Sequence, residues 1–190
     1  MGTTTTNTEP IKRTRGGTQP LPLTRSDILD AAMPLLAAHG VDALTVKAVA
    51  DELGISSPAV YHYVSNRDDL LDRLCERVAA EVNRNVTNEL ETDMAWDDGV
   101  VAVLLEMDRT FARYPGVAAR VLPTRRPSRA EAESTETVRR FLRQGGFDEA
   151  AADELLAALQ HLFGGWLLDT RPTDPRVLER SIRWLLKGAQ

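Results

Sequence analysis

The stretch Thr45–Val64, TVKAVADELGISSPAVYHYV, constrains this chain more than any other. Thr45 is a good N-cap for a short helix through Leu53, and Gly54 permits a sharp turn after it. Ser56 or Ser57 then caps a second short helix, with Pro58 in its first turn, where a missing N–H costs least. That helix is expected to end near Tyr63. Small Ala50 allows the two helices to cross closely, and Val49, Leu53, Ile55 and Val60 form an apolar wedge between them. Two short helices joined by a three- to four-residue turn make a helix-turn-helix, whose second helix can enter the major groove of double-stranded DNA. On the motif alone, two helices of an ordinary bundle remain the alternative.

The rest of the chain is expected to be helical too, which makes the fold class all-α. Thr24-Arg25-Ser26-Asp27 fits a capping box, followed by Ile28, Ala31, Ala32, Leu35 and Leu36 at helical spacing. Gly40 is the expected end of that first helix, and Pro34 inside it predicts a kink there or packing that compensates. Ser65-Asn66-Arg67-Asp68 reads as a second capping box, opening a long helix to about Leu90. Further helices are expected over Asp97–Arg113, a short segment to Leu122, a stretch capped at Ser128 and ending at Gly145-Gly146, one capped by Asp148, and one from Asp174-Pro175. Residues 1–22 are rich in Thr, Gly and Pro and read as a disordered basic arm. The expected organisation is therefore this arm, a three-helix helix-turn-helix domain over 23–69, and a larger helical domain over 70–190.

Charge and composition narrow the function. The formal net charge of −5 opposes a DNA binder, which uses Lys and Arg to displace counterions from phosphates, unless a small DNA-facing surface sits on an acidic body. One cysteine, Cys75, excludes an internal disulfide framework and a Cys-rich metal site. No apolar run approaches the roughly 20 residues of a membrane span, and the N-terminus lacks an apolar signal core, so a soluble cytoplasmic protein without membrane partners is expected. No metal pair, phosphate-binding Gly loop or nucleophile constellation is present, and His39, His62 and His161 are the only histidines. An enzyme, a metal site or a cofactor is not expected.

The helix-turn-helix has a more specific continuation. Pro58-Ala59-Val60-Tyr61-His62-Tyr63-Val64 followed by Ser65-Asn66-Arg67-Asp68-Asp69-Leu70-Leu71 resembles the N-terminal domain of the tetracycline-repressor (TetR) family over about residues 24–74. The resemblance implies a DNA-binding transcriptional regulator, by family default a homodimeric repressor released from a palindromic operator by a small molecule. A ligand-independent DNA-binding dimer and an activator of the same fold are the alternatives. Carried over by position, the DNA-contacting residues would be Arg25, Thr45, Lys47, Ser57, Pro58, Ala59, Tyr61, His62, Tyr63 and Arg67. Tyr61 and Arg67 are expected at phosphates, and His62 and Tyr63 at base edges or phosphates. Ser57 and Ala59 are short and would read bases weakly or through water. Val46 is apolar where some relatives carry a base-reading polar residue. Lys12, Arg13 and Arg15 in the arm are candidates for the minor groove or the phosphates.

The second half, from Trp96 to Thr124 and again at Gly146-Phe147 and His161–Gly165, resembles the tetracycline-repressor branch itself. Val121 stands where that branch has a metal-chelating histidine. The resemblance therefore implies a largely apolar small-molecule pocket, lined by Val103, Met107, Val121, Thr124, Val138 and His161, rather than a magnesium–tetracycline site. The helices near 148–169 and 175–187 carry apolar residues on more than one stripe and are the expected homodimer interface.

Overall fold

The computed structural model describes residues 23–89, 94–122, 129–169 and 174–189. The basic arm, the Pro123–Pro127 loop and the expected Ser128 cap lie outside them, and with them Lys12, Arg13, Arg15 and Thr124. Among the described residues there are nine helices and no strand. They are α1 (Arg25–Ala43), α2 (Val46–Leu53), α3 (Ser57–Val60), α4 (Arg67–Glu89), α5 (Trp96–Ala112), α6 (Val117–Val121), α7 (Arg129–Gln144), α8 (Glu149–Leu168) and α9 (Pro175–Gly188). None of them is long and apolar enough to cross a membrane.

The helix starts follow local chemistry. The Thr24 capping box closes in both directions: the Asp27 amide donates to Thr24 Oγ1 at 3.2 Å, and the Thr24 amide donates to Asp27 Oδ2 at 2.8 Å. Asp148 accepts from the Ala151 amide at 2.9 Å, and Asp174 from the Arg176 amide at 3.0 Å. The cap of α4 lies one residue later than the sequence suggested. Asn66 Oδ1 accepts from the Asp69 amide at 2.9 Å, and Asp69 Oδ2 accepts from the Ser65 amide at 2.8 Å. That Ser65 amide holds the Asp69 carboxyl below the usual carboxylate range.

Pro34 does not break α1. The helix runs through the exposed Pro34, and the break falls at Gly40, whose φ of 73° and ψ of 177° no other residue type adopts comfortably. The break lies where the sequence placed the end of the first helix, and one further turn follows it to Ala43. The reason is tertiary: the bend lets the Val41 amide donate to the Pro115 carbonyl at 2.9 Å, joining α1 to the α5–α6 connection.

Two apolar cores result. The first combines Ile28, Leu36, Val49 and Val60 from the head with Leu70, Leu71, Leu74 and Val78 of α4, and it takes in Tyr114 and Val117. The second begins at Val82 and Val86 on the same helix and gathers α5, α7, α8 and α9. Helix α4 thus leaves one core and enters the other within a single turn. The head's core extends past residue 69, where the sequence suggested the domain would close. In the body, α7 and α8 form an antiparallel hairpin bridged by the ion pairs Arg139–Asp153 and Arg143–Glu149. Trp166 Nε1 donates to Asp108 Oδ1 at 2.7 Å, tying α8 to α5.

Candidate DNA-reading head and ligand cavity

In the head, Gly54 closes α2 in a left-handed conformation (φ 65°, ψ 31°). Its amide donates to the Asp51 carbonyl at 3.2 Å, and the Ile55 amide donates to the Ala50 carbonyl at 3.0 Å. These are the paired bonds of a Schellman end, and they turn the chain into α3. Helix α3 is shorter than expected, only Ser57–Val60. It continues as turns in which the His62, Tyr63 and Val64 amides donate to the Ala59, Val60 and Val60 carbonyls. Val60 and Val64 anchor this segment in the head's core. The outer face then presents Pro58, Tyr61 and His62 to solvent, with Ser57, Ala59 and Tyr63 half-buried beside them.

Most of the proposed DNA-contacting side chains share this face or its flanks. Tyr61 is 51% exposed, unusual for an aromatic residue with no surface task. Thr45 is exposed, and its hydroxyl accepts from the Ala48 amide at 3.1 Å as the cap of α2. Lys47 is exposed and pairs with Asp51 at 2.6 Å. Arg25 Nε donates to the Tyr63 carbonyl at 3.0 Å, bracing the end of the reading segment against α1. Val46 is buried in the head's core, which explains why it is apolar.

Arg67 departs from expectation. Its guanidinium turns inward: Nε donates to the Leu44 carbonyl at 2.8 Å, and Nη2 donates to those of Val41 at 2.6 Å and Asp42 at 3.3 Å. These carbonyls belong to the end of α1, which lacks intrahelical donors for them. Arg67 is a staple between α1 and α4. The first turn of α4 also carries Asp68 and Asp69, whose charge opposes a phosphate at that helix end.

The body holds a cavity of about 590 Å³ between α4, α5, α7 and α8. Met107, Val121, Val138 and His161 line it, as expected from sequence. Val103 does not: it is fully buried, one turn along α5 from Met107, and packs in the second core. Thr124 lies outside the described residues. Sequence reasoning missed Phe111, Leu159, Ser134 and Gln160 among the lining residues. For Ser134 a signal existed, because Glu131, Ser134 and Val138 share one stripe of α7 by their three- and four-residue spacing. A second, more open and mixed-charge groove runs along the outer side of α4 and α7, with Asn83, Arg84, Arg129 and Glu133 in its walls.

Helix α6 stands between cavity and head. Val121 lines the cavity, while Arg120 pairs with Asp72 at 2.7 Å and Asp68 at 3.4 Å on α4. On the other side of α4, Tyr114 donates to Glu81 Oε2 at 2.8 Å, and Arg113 pairs with Glu81 at 2.7 Å. Burial and that carboxylate together push the Tyr114 phenol up to about 12.

Comparison with known proteins agrees with this geometry. The sequence model of the bacterial regulatory proteins of the tetR family matches residues 28–74, which span α1 to the first turns of α4. The chain is 28% identical over 154 residues to the class A tetracycline repressor protein from transposon 1721 of Escherichia coli, covering 81% of this chain and 70% of that one. It is 36% identical over 110 residues to an HTH-type transcriptional regulator of Saccharopolyspora erythraea, covering 58% of this chain and 44% of that one. The crystal structure of a single-substitution variant of TetR from Acinetobacter baumannii AYE, in complex with minocycline, superposes with a TM-score of 0.70 at 26% identity over 88% of this chain and 96% of that one. These relatives are regulators rather than enzymes. Residues 28–74 thus match the tetR family of bacterial regulatory proteins, and the chain as a whole is similar to tetracycline repressors over most of its length.

Proposed function

We propose that this chain acts as a homodimeric repressor that binds a palindromic operator and leaves it when a largely apolar small molecule enters the body. The observation that carries this is the 590 Å³ cavity, within the roughly 300–1,000 Å³ range of small-molecule sites, with α6 between it and the head. A ligand that shifts α6 acts on α4 through Arg120 and so on the orientation of the head. Arg25, Thr45, Lys47, Ser57, Pro58, Ala59, Tyr61, His62 and Tyr63 form the DNA-contacting set. Short Ser57 and Ala59 leave direct base reading to few side chains, so phosphate positioning and DNA shape carry much of the recognition.

Dimerisation is supported by the outer surface of α8 and α9. Trp184 is 73% exposed and Leu168 51%, apolar area that a second copy would cover. Two heads must lie about one DNA turn, roughly 34 Å, apart to read both halves of a palindrome. With Val121 in place of a chelating side chain, magnesium–tetracycline is not the inducer.

The deciding experiment is a mobility-shift assay with full-length protein and the palindromic segments flanking its gene. Binding to one of them well above random duplex at moderate salt is expected, with release by an apolar compound that also raises the melting temperature. No preference over random duplex refutes the operator; release by magnesium–tetracycline refutes the apolar inducer.

A further inference from the structure

We infer that the body cavity selects an apolar ligand that donates hydrogen bonds, such as a phenol or an alcohol, and discriminates against its ether and its carboxylate. This rests on the cavity being the inducer site and adds the chemistry of its polar contacts.

The inference follows from where three protons are fixed. Asn83 on α4 donates from Nδ2 to Glu133 Oε2 at 2.9 Å. A carboxylate only accepts, so the amide nitrogen must face Glu133 and the amide oxygen must face the other way. That oxygen, Oδ1, meets the hydroxyl of Ser134, which therefore donates its single proton to it. Ser134 is 5% exposed and lines the cavity, so toward a ligand it offers only lone pairs.

A proton on α8 is also committed. His161 Nδ1 lies 2.7 Å from the carbonyl oxygen of Ala157 on its own helix. A carbonyl only accepts, so Nδ1 carries a proton that is committed to the helix backbone. Ser134 on α7 and His161 on α8 line the same cavity. The carboxylate of Glu131, on the same side, also accepts.

The deeper wall, including Leu104, Phe111, Val138 and Leu159, is apolar, and the other polar lining side chains, Thr135 and Gln160, are half-buried and exposed. An acceptor pushed against the buried Ser134 meets lone pairs and loses its water without replacement, which is costly in an apolar site. A donor is satisfied there.

The test is a ligand series on full-length protein. Naphthalene, fluorene and anthraquinone scaffolds are each supplied as phenol, methyl ether and carboxylate, with affinity read by calorimetry. Among scaffolds that bind, the phenol should be about tenfold tighter than its ether, and the carboxylate weakest. Ser134→Ala should reduce the phenol-to-ether ratio while leaving ether affinity in place. Asn83→Ala frees the Ser134 proton, so ethers should gain on phenols; helical circular dichroism and operator binding establish that each variant is folded. Ethers or carboxylates binding as well as phenols overturn the inference and leave the cavity as the ligand site. Binding by no scaffold overturns the ligand site as well.

Discussion

Replacing Arg67 separates a structural role from a DNA-contacting one. Its guanidinium makes two short hydrogen bonds and one longer one to the carbonyls of Leu44, Val41 and Asp42. Hydrogen bonds involving a charged group contribute about 1.5–3 kcal/mol each when well formed. Arg67 is only half-buried, and part of the lost bonding is recovered by water, so Arg67→Ala should cost about 2–4 kcal/mol rather than the full sum. With a urea slope of about 2 kcal/mol/M, the unfolding midpoint falls by about 1–2 M at fixed protein concentration. Arg67→Lys should recover little of this. A compact ammonium keeps the charge but cannot span carbonyls that a planar fork reaches together. Circular dichroism during urea titration gives the midpoint, and mobility-shift assays at several salt concentrations give the electrostatic slope for DNA. A phosphate contact would behave in the opposite way: an unchanged midpoint, a log–log salt slope shallower by about one unit in Arg67→Ala, and near-complete rescue by lysine. That result would refute the staple.

Three further outcomes follow from the packing and the titrating groups. A Cβ placed on Gly99 of α5 would lie 2.3–2.5 Å from three ring atoms of Phe141, which is itself buried, so Gly99→Ala should lower the Tm by about 3–10 °C through overpacking; an unchanged Tm in calorimetry would show that the ring can move aside. The Tyr114 phenol, raised from 10.0 to about 12 by burial and then by its bond to Glu81, holds its proton more tightly in the folded state. Its stabilisation is complete below about pH 10 and is lost as pH climbs towards 12, so Tyr114→Phe should flatten the alkaline limb of the stability profile, and parallel limbs would contradict this. Burial pushes the Cys75 thiol up to about 11, so at about pH 8 it should react with a disulfide reagent only as fast as the protein opens; immediate stoichiometric labelling of the native protein would argue otherwise.

Much of the molecule was legible because it is set by neighbours along the chain. Thr24, Thr45, Asp148 and Asp174 cap their helices as their local spacing implied, since a cap is a bond between residues two or three apart. The turn at Gly54 and the apolar wedge of the reading head are likewise local, and they located the DNA-reading segment and its family before any geometry was known. Tertiary structure decided what depends on partners far away in sequence. Arg67 looked like a surface cation until its acceptors proved to be carbonyls more than twenty positions earlier. Val103 and Met107 share a stripe of α5, and only packing against the other helices separates the core residue from the cavity residue. The break in α1 fell at Gly40 rather than Pro34 because Pro115 draws the Val41 amide out of the helix. The proton of Ser134 points away from the cavity because Asn83, about fifty residues upstream, claims it. Periodicity along a helix identifies the side that is buried; what a side chain finds there is fixed only when distant segments meet.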